Sequence, residues 1–154
     1  MIFSDEFFMQ EALKEAKRAD SSEDVPIGAV IVYKNRVIGR GHNQVERLGD
    51  PTAHAEMLAI TSAAEYLKCK WLADCTLYVT IEPCSMCAGA LVLSRIAKVV
   101  FGASDPKAGA GGSVLNILHH VKLNHRIKII PGILQQECAG LVKDFFKKKR
   151  ASQN

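Results

Sequence analysis

The sequence predicts an α/β fold: three α/β/α layers around a central five-stranded mixed sheet. Three observations predict it. Near the N-terminus, two short apolar runs flank a turn-prone triplet, the pattern of an antiparallel hairpin. After the hairpin, segments of helical and strand periodicity alternate, as parallel strands joined by helical crossovers do. Leu77-Tyr78-Val79-Thr80-Ile81 is apolar almost throughout, which suits a strand covered on both faces and therefore central.

Each element has its own warrant. Phe8, Leu13 and Ala16 give an amphipathic first helix, with Ser4 or Asp5 as its cap and acids before Lys14, Lys17 and Arg18. Gly28–Tyr33 reads as a strand, Lys34-Asn35-Arg36 as a tight turn, and Val37–Arg40 as the returning strand. Residues 41–53 read as a polar loop, and a helix starts near His54 and runs to about Leu67. Strand 77–81 leads to a helix opened by Pro83, since proline lacks only a hydrogen bond that is unmade in a first turn. Lys98–Phe101 is a fourth strand, ended by Gly102. A Gly/Ala loop, a short helix over 114–119, a fifth strand over 127–130 and an amphipathic helix over 133–149 complete the chain. All 154 residues are expected to form one domain, with residues 143–154 as a basic helix end and tail.

Composition narrows the function. Of the 154 residues 48% are hydrophobic and 23% charged, enough apolar content for a buried core and too much for a disordered chain. No apolar run reaches the length of a membrane span, so no membrane association is expected. The N-terminus lacks the basic and apolar blocks of an export signal, making the cytoplasm the expected compartment. A net charge of +4 permits an anionic partner without requiring one. Five cysteines are an odd number, and without export a disulfide framework is not expected; metal or catalytic use has to be weighed.

Two segments carry the chemistry: Thr52-Ala53-His54-Ala55-Glu56 and Glu82-Pro83-Cys84-Ser85-Met86-Cys87. Each falls where the chain turns into a helix. Cys84 and Cys87, three positions apart, share a helix face near unpaired backbone N–H groups, which favour thiolate. Two thiolates and the imidazole of His54 suit zinc, one ion per chain, and three protein ligands leave the fourth position open, as in catalytic sites. Zinc brings the pKa of water from about 15.7 to about 7. Glu56, two residues beyond His54, reaches the same pocket and could move a proton from water to a leaving nitrogen. Taken alone, H-x-E is nearly noise and C-x-x-C is often a redox pair or half a zinc knuckle. Together, H-x-E and a later P-C-x-x-C form the known signature of zinc nucleobase deaminases, matched here rather than discovered.

On these residues the chain resembles the cytidine deaminase-like superfamily and, within it, the bacterial tRNA-specific adenosine deaminases. The resemblance runs from about Phe7 to Arg150. It also draws on Val25–Val30, Gly41-His42-Asn43, Ser94-Arg95-Ile96, Val99–Lys107, Gly112-Ser113, Asn124-His125-Arg126 and Asp144-Phe145-Phe146. It implies zinc on His54, Cys84 and Cys87, proton transfer by Glu56, and contacts from Asn43 to the flipped nucleotide and from Asp105 to a neighbouring ribose. It also implies hydrolytic conversion of the wobble adenosine of a tRNA anticodon to inosine, by a homodimer whose RNA site draws on both chains. His125, Arg126, Lys147 and Lys148 are further candidates for contact with the anticodon stem-loop. A deaminase of a free base or nucleoside, and a non-catalytic zinc-stabilised RNA-binding module, stay open as alternatives.

Other features have milder readings. Cys75 and Cys138 read as core thiols and Cys69 as an exposed turn residue. His119-His120 reads as a contact with RNA or a partner chain sooner than as a metal pair. Gly109-Ala110-Gly111-Gly112 lacks the Lys-Ser/Thr of a phosphate loop and reads as a loop needing unusual backbone angles.

Overall fold

The computed structural model describes residues 1–153. Ser4 caps the first helix, α1 (Asp5–Ser21), its hydroxyl accepting from the Phe7 N–H. The hairpin follows as β1 (Gly28–Tyr33) and β2 (Arg36–His42). Lys34 and Asn35 both take positive φ, 49° and 63°, the backbone of a two-residue turn whose twist matches its strands. Strand β2 runs two residues further than its apolar pattern suggested. Ladder pairing with β1 continues to Gly28–His42. There a Cβ on Gly41 would lie 2.3 Å from the Ala55 carbonyl, so the glycine lets the next long helix pack against the strand.

That helix is α3 (Ala55–Leu67), preceded by a single turn, α2 (Val45–Leu48), inside the stretch that reads as a loop. Then come β3 (Thr76–Ile81), α4 (Ser85–Leu93), β4 (Lys98–Ala103), β5 (Lys128–Ile130) and α5 (Gln135–Ser152). The strand order is β2-β1-β3-β4-β5, with β1 antiparallel to both neighbours and β3, β4 and β5 parallel. The apolar run 77–81 is central, as its composition requires.

Helices cover both faces, giving the three layers. Ala29, Ile31, Leu77, Val79, Val99 and Phe101 point toward α3 and α4, while Val30, Val32, Tyr78 and Val100 alternate toward α1 and α5. Gly102 does not end β4. It lies within the strand because a Cβ there would meet the Cys138 thiol of α5 at 2.3 Å. The helix expected over 114–119 is absent. An isolated bridge, Gly111–Asn116, and bonds from Ile117 N to Ala110 O and from Ile127 N to Leu118 O hold an irregular segment instead. The last helix starts at Gln135, two residues later than expected and just after Leu134, whose φ of 54° is left-handed. Among the described residues no helix is long and apolar enough to cross a membrane.

Candidate metal centre and substrate pocket

Helices α3 and α4 start at the same place, next to the C-terminal end of the central strand β3. His54 is the residue before α3 and Cys84 the residue before α4; both are extended, with φ near −75°. Such positions usually hold a Ser, Thr, Asp or Asn that closes the helix end with its own oxygen, worth about 1 kcal/mol. Neither His54 nor Cys84 makes that bond. Both side chains turn instead toward Cys87, one turn into α4.

The donor atoms of His54, Cys84 and Cys87 all lie within 4.8 Å of one another. His54 Nδ1 is 3.6 Å from Cys84 Sγ and 3.5 Å from Cys87 Sγ. Zinc–sulfur bonds of about 2.3 Å and zinc–nitrogen bonds of about 2.0–2.1 Å at the tetrahedral angle give an N···S edge of about 3.6 Å. Both N···S spacings are therefore those a tetrahedral metal needs, with Nδ1 as the imidazole donor. Cys69 is exposed, and Cys75 and Cys138 are buried elsewhere, so none supplies a fourth ligand.

Protonation within the cluster is uneven without a metal. Hydrogen bonds from Cys87 and His54, more than burial opposes them, hold the Cys84 thiol down at about 3. The same bond to Cys84, with burial, pushes the Cys87 thiol up. Its bond to Cys84 also raises the His54 imidazole. The cluster thus holds protons where a cation would sit.

Glu56 lies in the first turn of α3 and is 3% exposed. Burial pushes its carboxyl up to about 7. A proton carrier poised there can both take and return a proton near neutral pH.

His54, Glu56 and Cys84 line a pocket of about 160 Å³ with Asn43, Ile27, Ala55, Ile81, Glu82, Asp105 and Ala108. Asn43 is oriented by its own side chain: Nδ2 donates to Val25 O at 3.3 Å and Oδ1 accepts from Val45 N at 3.2 Å. An amide nitrogen carries two hydrogens, which leaves one for a ligand. Asp105 Oδ1 accepts from Lys107 N and Ala108 N; Oδ2 has no intrachain partner among the described residues.

The remaining sequence candidates fall outside this pocket. His125 Nε2 bonds to Ile96 O at 2.6 Å and Arg126 Nη2 donates to Val121 O at 3.0 Å, so both brace their own surroundings. His119 Nδ1 bonds to Ile127 O in the same way. Lys147 is exposed on α5. Lys148 and Lys149 line a separate cleft of about 660 Å³ with Arg47 and Phe145, and Asp20, Glu23 and Glu46 line it too.

Sequence reasoning missed two residues. Buried Asp24 accepts from Glu46 N at 2.7 Å and Arg47 N at 3.2 Å, and so anchors α2 beside Asn43. Buried Glu82 ties β3 to the loop carrying Asp105. Glu82 offered one signal, an acid ending an apolar run; Asp24, in the polar stretch Asp20-Ser21-Ser22-Glu23-Asp24, offered none.

Comparison with known proteins agrees with this geometry. Residues 3–150 match the MafB19-like deaminase family. The chain is 49% identical over 152 residues to a tRNA-specific adenosine deaminase of Bacillus subtilis (strain 168), covering 96% of this chain and 94% of that protein. It is 54% identical over 145 residues to the protein of that name from Aquifex aeolicus (strain VF5), covering 94% and 95%. A solved structure described as a tRNA:A34 deaminase, for A-to-I editing at the wobble position of transfer RNA, superposes with a TM-score of 0.84. Identity there is 41%, covering 88% of this chain and 98% of that one. With its two helix starts converging on a His/Cys/Cys cluster beside a buried glutamate, the chain belongs to the tRNA-specific adenosine deaminases of the MafB19-like deaminase family.

Proposed function

We propose that this protein converts the wobble adenosine of a tRNA anticodon to inosine, consuming one water and releasing ammonia, with one zinc ion per chain held by His54, Cys84 and Cys87. The observation that carries the reading is the convergence of those three donors with buried Glu56 in a pocket shared by Asn43 and Asp105. Bound zinc would supply the Lewis acidity that makes water a nucleophile near neutral pH. Glu56 accepts one proton of the attacking water on its carboxylate and delivers it to the purine ring nitrogen; it then takes the second proton of that water, as the new hydroxyl becomes the carbonyl, and delivers it to the amino nitrogen, which departs as ammonia. Asn43 offers its remaining amide hydrogen to the splayed nucleotide, and Asp105 its free oxygen to a ribose hydroxyl. Burial around Glu56 keeps bulk water from competing for the proton.

The pocket has room for a base and little more, so a free base such as cytosine or guanine is the alternative substrate. An RNA substrate needs contacts outside the pocket, and the exposed basic run Lys147 to Arg150 on α5 supports one. The deciding assay measures inosine from an anticodon stem-loop beside product from free adenosine, cytosine and guanine. The stem-loop should be turned over and free adenosine hardly at all; faster turnover of cytosine or guanine would replace the reading.

Binding to RNA should weaken as salt rises, since displaced counterions drive part of it. Neutralising Lys147, Lys148, Lys149 and Arg150 together should raise the KM for the stem-loop by about tenfold while changing kcat less. An unchanged KM would remove this run from the RNA site. The same reading makes the chain a cytoplasmic homodimer of single-domain subunits. Exposed Val114, Leu115, Val121 and Leu123 support a second copy as cover, and sedimentation as a monomer would remove that part.

A further inference from the structure

Glu82 ends the strand side of the metal centre, two residues before Cys84, and is 3% exposed. No lysine or arginine pairs with it among the described residues. Its charge is met by the backbone of residues 105–113 instead. Oε1 accepts from Asp105 N at 3.0 Å and from the Ser113 hydroxyl; Oε2 accepts from Gly111 N at 2.8 Å and Ser113 N at 3.1 Å.

Two carboxylate oxygens offer about four acceptor sites, and all four are taken. Glu82 therefore has nothing left to accept from a substrate, although it lines the pocket. The Gly/Ala stretch is shaped to reach it. A Cβ on Gly109 would lie 2.3–2.5 Å from the Glu82 carboxyl, while of Gly109, Gly111 and Gly112 only Gly112 takes a positive φ. Close approach to a buried anion explains Gly109, and an unusual backbone angle explains Gly112. The segment so held carries Asp105 and Ala108, which form the pocket wall facing His54 and Cys84.

We propose that Glu82 is a positioning residue: its carboxylate folds the 105–113 backbone around itself and thereby sets the pocket wall that recognises the substrate. The inference rests on the deaminase reading for its kinetic arm only. Glu82→Gln keeps the size but presents N–H groups to backbone N–H groups; the Ser113 hydroxyl can turn round and accept, but a backbone amide cannot, so at least one of the four bonds fails. Hydrogen exchange should accelerate about tenfold or more at whichever of the Asp105, Gly111 and Ser113 amides lose their acceptor. The KM for the stem-loop should rise about tenfold, kcat should move less than about threefold, and metal content should stay at one per chain. Ser113→Ala, which removes one bond, should shift KM the same way by less. Gly109→Ala, which pushes the loop off without touching Glu82, should reproduce the KM effect, and these two variants decide the matter if Glu82→Gln fails to fold. Unchanged amide exchange overturns the proposal. So does a fall in kcat at constant KM, which would put Glu82 on the reacting atoms, or loss of metal as the sole defect. An unaltered protein inactive on the stem-loop would sink the deaminase reading, and amide exchange would still judge whether Glu82 holds the wall.

Discussion

Glu56→Ala is expected to keep its metal and its fold and to deaminate the anticodon stem-loop about 10⁴-fold more slowly than the unaltered chain, the upper end for loss of one acid–base group. The upper end is expected because one carboxyl serves both water activation and nitrogen departure, and the other carboxyls of the pocket are assigned to other partners. Glu82 is saturated by backbone donors and Asp105 is turned to Lys107 and Ala108. Single-turnover rates on metal-loaded protein test this, and turnover at the unaltered rate would remove Glu56 from the mechanism. A second signature is thermodynamic. In the metal-free protein burial raises Glu56 from 4.5 to about 7. Between those values the folded chain holds a proton that the unfolded chain has lost. The contribution to stability is thus complete below pH 4.5 and disappears as pH rises through 7. Glu56→Gln fixes the neutral form. Metal-free Glu56→Gln should match the metal-free unaltered chain at pH 4.5 and exceed it by roughly 1–3 kcal/mol at pH 8 in denaturant titrations.

The His54, Cys84 and Cys87 cluster and Glu56 were legible because two short segments, each ambiguous alone, are specific together. Helix starts and a three-residue spacing place the side chains within each segment, and the pairing of the segments brings them to one pocket. The central place of β3 was legible because burial on both faces writes itself into an unbroken apolar run. What was not legible depends on distant partners. Glu82 bonds to groups 23 to 31 residues away, so nothing beside it in sequence marks its role. Residues 114–119 carry Val114, Leu115, Ile117 and Leu118 at helix-like spacing, but only Leu118 is buried, and long-range backbone bonds fix the segment as irregular. Helix α2 is four residues long, below the length at which periodicity can register, and is held by Asp24 from across a turn. His125 and Arg126 look like RNA-facing groups in sequence, whereas their nearest partners are carbonyls of their own chain.

Loss of either thiolate should be the most damaging single change to the whole molecule. Cys84→Ala or Cys87→Ala leaves two of three donors, and both variants should purify with less than about a tenth of the unaltered metal content and no deamination above background. Stability should fall too. A metal at about 1,000 times its dissociation constant contributes about 4 kcal/mol to the folded state, and the variants forgo that amount in addition to any packing loss. Cys87, fully buried in the first turn of α4, should lose more packing than half-buried Cys84. The protonation pattern adds a directional test. At neutral pH the metal-free cluster holds one thiolate on Cys84, a protonated Cys87, and an imidazole biased toward its charged form. Loading must expel the Cys87 proton and whatever His54 carries, so each ion should release at least one proton and affinity should rise with pH. Calorimetric titration of metal into the stripped protein, in two buffers of different ionisation enthalpy, reads that number directly. Elemental analysis supplies the other arm. One zinc per unaltered chain is expected, and two metals per chain, or full occupancy in either alanine variant, would break the three-ligand site.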